Sequence, residues 1–144
     1  MSVADVMRTR LVQTQPHSSV REAVRRMAEA GVGSVAVCDG SRLVGIFTER
    51  DLLRLAGQGA DLDAVTVERA MTRDLVTVSP DDDIAGAARL MGERRIRHLP
   101  VVQGENLLGI VGIRDVLAAL AEELWRSHDE RAHETVRELL GRRA

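Results

Sequence analysis

Gly45-Ile46-Phe47-Thr48-Glu49-Arg50-Asp51 returns 64 residues later as Gly109-Ile110-Val111-Gly112-Ile113-Arg114-Asp115, and the rest of the 144-residue chain is arranged around these two copies. In each, an apolar run (Leu43 to Phe47, Leu107 to Val111) ends in polar residues, and a longer apolar-periodic segment follows. That pattern predicts a strand running straight into a helix N-terminus. Unsatisfied backbone N–H groups and the positive end of the helix dipole collect at such a turn, which makes it a place for anions. Thr48 and Asp51 have the spacing of an N-cap and the third helical residue, so capping alone also accounts for them.

The register extends without a gap from Met7 on Met71 to Leu53 on Leu117, with identities at Leu11/Leu75, Pro16/Pro80, Met27/Met91, Gly40/Gly104 and Arg50/Arg114 among others. Two copies of one unit therefore make up most of the chain. Within a copy the order is short strand, helix, strand, strand, helix. Leu11 to Thr14 (Leu75 to Val78) reads as a brief extended run ended by proline. Ser19 and Glu22 form a capping box that opens a helix to about Ala30, and Asp81, Asp82 and Asp83 replace it in the second copy, where carboxylates favour the helix dipole. Val20, Ala23, Val24 and Met27, with Ile84, Ala87, Ala88 and Met91, form a core-facing stripe. Asp39-Gly40 is a strong hairpin signal and Gln103-Gly104 a weaker one. Lead-in helices are expected at Ser2 to Met7 and Thr66 to Met71, capped by Ser2 and Thr66. This divides the chain into a first repeat over 1–60, a second over 61–125 and a charged helical tail over 126–144. The tail has two readings, a helix that packs on a partner and a solvated fraying helix.

Composition narrows the function classes. With one Phe, one Trp and no Tyr, the core is aliphatic and no aromatic platform exists for stacking bases. A net charge of −2 without a large basic block gives no reason to expect nucleic acid or anionic membrane as a partner. Cys38 is the only cysteine, so intramolecular disulfides are excluded and a reducing compartment is expected. With neither a signal-peptide pattern nor an apolar run of membrane-spanning length, the expected location is cytoplasmic.

Asp51 and Asp115 are candidates for two adjacent ribose hydroxyls, since both carboxylate oxygens accept, although capping competes as an explanation. Arg97 and His98, in Arg95-Ile96-Arg97-His98-Leu99-Pro100, are natural phosphate partners; a structural imidazole explains His98 equally well. The first copy carries Gly33-Ser34-Val35-Ala36 there, so the two sites are not equivalent. Catalysis is not supported: Ser34, Thr48 and Thr77 have no His/Asp escort, and a chain without lysine has no Lys-Ser/Thr phosphate loop. Metal binding is not supported either, because His128 and His133 are five apart on a helix and His17 and His98 are distant in sequence.

The unit order, Ile96-Arg97-His98-Leu99-Pro100-Val101-Val102 and the doubled Gly-Ile-x-x-x-x-Asp ending resemble the cystathionine beta-synthase (CBS) domain, here as the tandem pair called a Bateman module, over about Val3 to Leu120. The resemblance implies a free-standing α+β module of two β-α-β-β-α repeats packed sheet to sheet with pseudo-twofold symmetry, two crevices between the repeats, and a C-terminal helical extension. It implies a non-catalytic sensor of adenosine-containing nucleotides such as AMP, ADP, ATP or S-adenosylmethionine, with no catalytic cofactor, an unknown regulated protein and a homodimer. Carried onto this chain, the family motif places Gly45, Ile46, Thr48 and Asp51 in one site, and Gly109, Ile110 and Asp115 in the other. Gly112 stands where Thr or Ser is expected, which leaves phosphate contacts to Arg114, Arg97 and His98, with Arg50 at the position matching Arg114. Backbone near Thr14 and Thr77, with Val35, Leu99 and Val111, would line the adenine. The alternative is a structural dimerisation module with vestigial sites.

Overall fold

The computed structural model describes residues 1–126 and 130–141; His128, Arg142 and Arg143 lie outside the described residues. The fold is α+β, and the chain separates into two compact units, each built around one repeat.

The first-repeat unit comprises Arg10–Leu75 with Gly104–Leu107. Its elements are β1 (Gln13–Thr14), α1 (Val20–Ala30), β2 (Ser34–Asp39), β3 (Arg42–Thr48), α2 (Glu49–Gly57) and α3 (Val67–Ala70). The Ser19 hydroxyl accepts the Glu22 N–H at 3.1 Å. Only half of the expected capping box forms, because the Glu22 carboxylate turns outward to Arg25 and Arg26 instead of back to Ser19. α1 ends at Gly31 in the left-handed region, where a side chain would be strained. Gly40 makes the hairpin turn at φ 62°, so that β2 and β3 pair antiparallel, while β1 pairs parallel with β2. Val20, Ala23, Met27, Val35, Val37, Phe47 and Leu55 close the core together with Val67 and Ala70 of α3.

The second-repeat unit comprises Met1–Thr9, Val76–Gln103 and Leu108–Ala144. It holds a short 3-10 turn (Val3–Asp5), α4 (Ile84–Arg94), β4 (His98–Gln103), most of β5 (Asn106–Gly112), α5 (Ile113–Arg126) and α6 (Glu130–Gly141). The counterpart of β1 shrinks to a single parallel bridge, Val78 to Val101. The acidic run does its capping one turn early: Asp82 accepts the Ser79 N–H at 2.8 Å, while Asp83, at the N-cap, makes no side-chain cap bond. α4 then ends on Arg95 at φ 56°, the position that Gly31 holds in the first repeat.

Each lead-in belongs to the unit of the other repeat. Val3 is fully buried in the second-repeat core, with its N–H on the Asp82 carbonyl. Val67 is likewise buried in the first-repeat core, with its N–H on the Ser18 carbonyl. These are the same two bonds displaced by 64 residues. The expected side-chain caps differ: Thr66 makes none, and at Ser2 the hydroxyl and N–H both donate to the Asp5 carboxylate.

The described part of the tail includes a helix, α6, packed on α4 and α5. Val136 and Leu139 lie against the second-repeat core, and Arg89 approaches Glu138 at 4.0 Å. Among the described residues no helix is long and apolar enough to cross a membrane.

Candidate functional site

Each unit has one strand-to-helix turn, and both are built alike. In the first-repeat unit Thr72 lies antiparallel to Ile46, exchanging N–H···O bonds of 2.8 and 3.1 Å. In the second-repeat unit Arg8 lies against Ile110 with bonds of 2.8 and 3.1 Å. The lead-in therefore runs beside the strand just before it turns into the helix. The glycines that open the two motifs make this approach possible. A Cβ on Gly109 would lie 2.7 Å from the Arg8 carbonyl oxygen, and one on Gly45 would overlap the Met71 side chain. The first helical N–H of each turn is taken by the residue just before the hairpin's first strand: Glu49 donates to Gly33 O at 3.0 Å and Ile113 to Arg97 O at 2.9 Å.

The carboxylates differ. Asp51 is 3% exposed and enclosed by its own unit. Oδ2 accepts the Thr48 N–H at 3.0 Å and the Thr48 hydroxyl at 3.3 Å, the Thr72 hydroxyl stands 3.4 Å from Oδ1, and Arg54 Nη2 lies 3.4 Å from Oδ1. Thr48 Oγ1 in turn accepts the Asp51 N–H at 3.4 Å, completing the capping box. The capping explanation thus fully describes Thr48 and Asp51 as they stand. The Asp115 side chain is 32% exposed, and Arg8 Nε donates to its Oδ2 at 3.3 Å. Gly112 offers no hydroxyl, so the Arg114 and Asp115 N–H groups at the positive end of α5 meet no such cap. A Cβ at Gly112 would lie 3.7 Å from both Asp115 Oδ2 and the His98 ring, so the glycine opens a gap between these two groups.

The remaining candidates divide by burial. Arg50, Thr77, Arg97 and Arg114 are exposed, while His98 and Ile110 are half-buried. Val35, Leu99 and Val111 are fully buried members of the two cores, and Ile46 is nearly so. Thr14 and Thr77 are not equivalent: Thr14 pairs with Val37 as Val78 pairs with Val101, so Thr77 matches Gln13 and points the other way from Thr14. The Thr14 hydroxyl is buried without a hydrogen-bond partner among the described residues. Gly112 stands beside Asp115, the His98 ring and the Arg97 carbonyl, with Arg114 next to Asp115 in sequence. Arg8, Thr72 and Arg54 belong to no motif of the sequence. The 64-residue register does align Arg8 with Thr72, but nothing local ties either one to an aspartate of the other repeat.

Two tandem α+β repeats, each with an aspartate at a strand-to-helix turn, define a repeat-built module. The chain belongs to the CBS domain family, whose model matches residues 3–57 and 67–122. A protein of Thermofilum pendens in a ribosomal RNA operon is 44% identical over 108 residues, covering 74% of this chain, which spans only 35% of that protein. The CBS domain-containing protein YhcV of Bacillus subtilis is 35% identical over 116 residues, covering 80% of this chain and 82% of YhcV. Among solved structures, a protein with CBS domains from Burkholderia ambifaria superposes with TM-score 0.80 at 32% identity, over 85% of this chain and 96% of that one. The Pyrobaculum aerophilum CBS domain protein PAE2072, complexed with AMP, gives TM-score 0.76 at 27% identity, over 85% and 99%. The CBS domain pair of protein MJ0100, in complex with 5'-methylthioadenosine and S-adenosyl-L-methionine, gives 0.76 at 25% identity, over 83% and 98%.

Proposed function

We propose that this chain is a non-catalytic regulatory module that binds an adenosine-containing nucleotide at its strand-to-helix turns, first of all at the turn ending in Asp115. The observation that carries the reading is the partly exposed Asp115 carboxylate at the start of α5, where Gly112 brings no capping hydroxyl, with Arg114 exposed beside it and exposed Arg97 and half-buried His98 at the start of the neighbouring strand. A carboxylate accepts from two ribose hydroxyls, and guanidiniums and helix N–H groups hold phosphate. The ligands in the PAE2072 and MJ0100 structures support adenosine as the common part. A nucleotide that fits one arrangement of the module better than another shifts the population, and a regulated protein reads the change.

Thermal unfolding with AMP, ADP, ATP, S-adenosylmethionine and NAD tests this. A ligand at a hundred times its dissociation constant adds about 2.7 kcal/mol of stability, and no shift with any of them sinks the reading. A second reading, a dimerisation module whose turns are unused, is favoured by Trp125, 91% exposed on α5. It predicts a homodimer by light scattering that weakens on Trp125→Ala, while Asp115→Ala changes neither assembly nor stability in the presence of nucleotide.

A further inference from the structure

We infer that Arg8, delivered to the Asp115 turn by the lead-in of the other repeat, selects a phosphorylated ligand there, and that its counterpart Thr72 makes the Asp51 turn unsuited to one. The inference rests on the nucleotide reading above and adds to it the ligand class of each turn. Arg8 and Thr72 hold the same backbone position, each bonded to the isoleucine of the motif, and each side chain reaches the aspartate of that turn. Around Asp51 the neutral set is Thr48, Thr72 and, at the position of His98, Ser34; Arg54 is already on the carboxylate. Around Asp115 the set is Gly112, His98 and Arg8, and Ala118 stands where Arg54 is in the first repeat. Glu49 adds a carboxylate to the first turn, where the second has Ile113. Arg8, Arg97 and Arg114 therefore outnumber one carboxylate at the second turn, whereas Arg50 and Arg54 are matched by Glu49 and Asp51 at the first.

Arg8 holds Asp115 through Nε alone, and its side chain is 55% exposed. Among the described residues its two terminal nitrogens make no hydrogen bond, so the fork that suits a phosphate is open. An arriving phosphate competes with Asp115 for Arg8. Once Arg8 turns to the phosphate, Asp115 is released to accept ribose hydroxyls. The same residue thus reads the phosphate and unmasks the ribose acceptor, whereas an uncharged nucleoside must bind against the intact Arg8–Asp115 pair.

Calorimetric titration of the whole chain with AMP and with adenosine tests this, in wild type, Arg8→Thr and Arg8→Lys. Wild type should prefer AMP by about 10- to 100-fold, the worth of a charge-assisted bond. Arg8→Thr should erase that preference by weakening AMP while adenosine is held as well or better, and Arg8→Lys should keep most of it. An AMP-to-adenosine ratio unchanged in Arg8→Thr overturns the assignment of Arg8 and leaves nucleotide binding standing. Equal weakening of both ligands also overturns it, because that is the mark of a structural residue. A wild-type chain that binds neither ligand removes the nucleotide reading together with this one.

Discussion

The Thr72 hydroxyl stands 3.4 Å from Oδ1 of Asp51, across 21 residues of chain and from the lead-in of one repeat to the helix start of the other. With Thr48 and Arg54 it leaves the Asp51 carboxylate enclosed and satisfied. Removing this carboxylate breaks the capping box of α2 and its part-buried bonds, at a cost of about 1–2 kcal/mol. Asp51→Ala should lower the urea-unfolding free energy by that amount. Asp115→Ala removes only a partly exposed ion pair, worth about 0–1 kcal/mol, and should leave the midpoint nearly unchanged. Equal losses would contradict the difference in their surroundings.

Gly109 and Gly45 are needed for different reasons. An alanine at 109 meets the Arg8 carbonyl, which is held in place by its bonds to Ile110, whereas an alanine at 45 meets the Met71 thioether side chain. Backbone has less room to yield than methionine. Both substitutions should destabilise by roughly 1–3 kcal/mol, with Gly109→Ala the worse, as read from denaturant midpoints.

Burial pushes the Cys38 thiol up from its ordinary value. Native protein should resist iodoacetamide at neutral pH and react at once in urea, as followed by mass spectrometry. The unfolded chain gives up this proton more readily than the native one, so the thiol contributes stability at low pH that is lost as pH rises past about 8.5. Cys38→Ala should reduce that alkaline loss.

α6 is held by Val136 and Leu139 on the second-repeat core. Leu139→Asp places a charge in that contact and should undock the helix, lowering the thermal midpoint by several degrees and exposing the covered face of α4 to a hydrophobic dye. Glu134→Ala, on the exposed side, should do neither.

The repeat, the hairpin at Asp39-Gly40 and the Thr48–Asp51 box are legible in the amino-acid sequence because each depends on residues a few positions apart. Turn geometry, capping and apolar periodicity act over that distance and leave their mark on neighbouring residues. Arg97, His98 and Asp115 could be named from the motif because β4 with the residue before it and the β5–α5 turn are parts of one repeat. What tertiary structure alone decided lies at long range. Arg8 reaches Asp115 across 107 residues, Thr72 closes over Asp51, and each lead-in completes the other repeat's core. A side chain carries no local sign of a partner so far along the chain. The difference between an enclosed Asp51 and an open Asp115 came only when those long-range partners, a hydroxyl and a guanidinium, were brought to the same place in two copies of one fold.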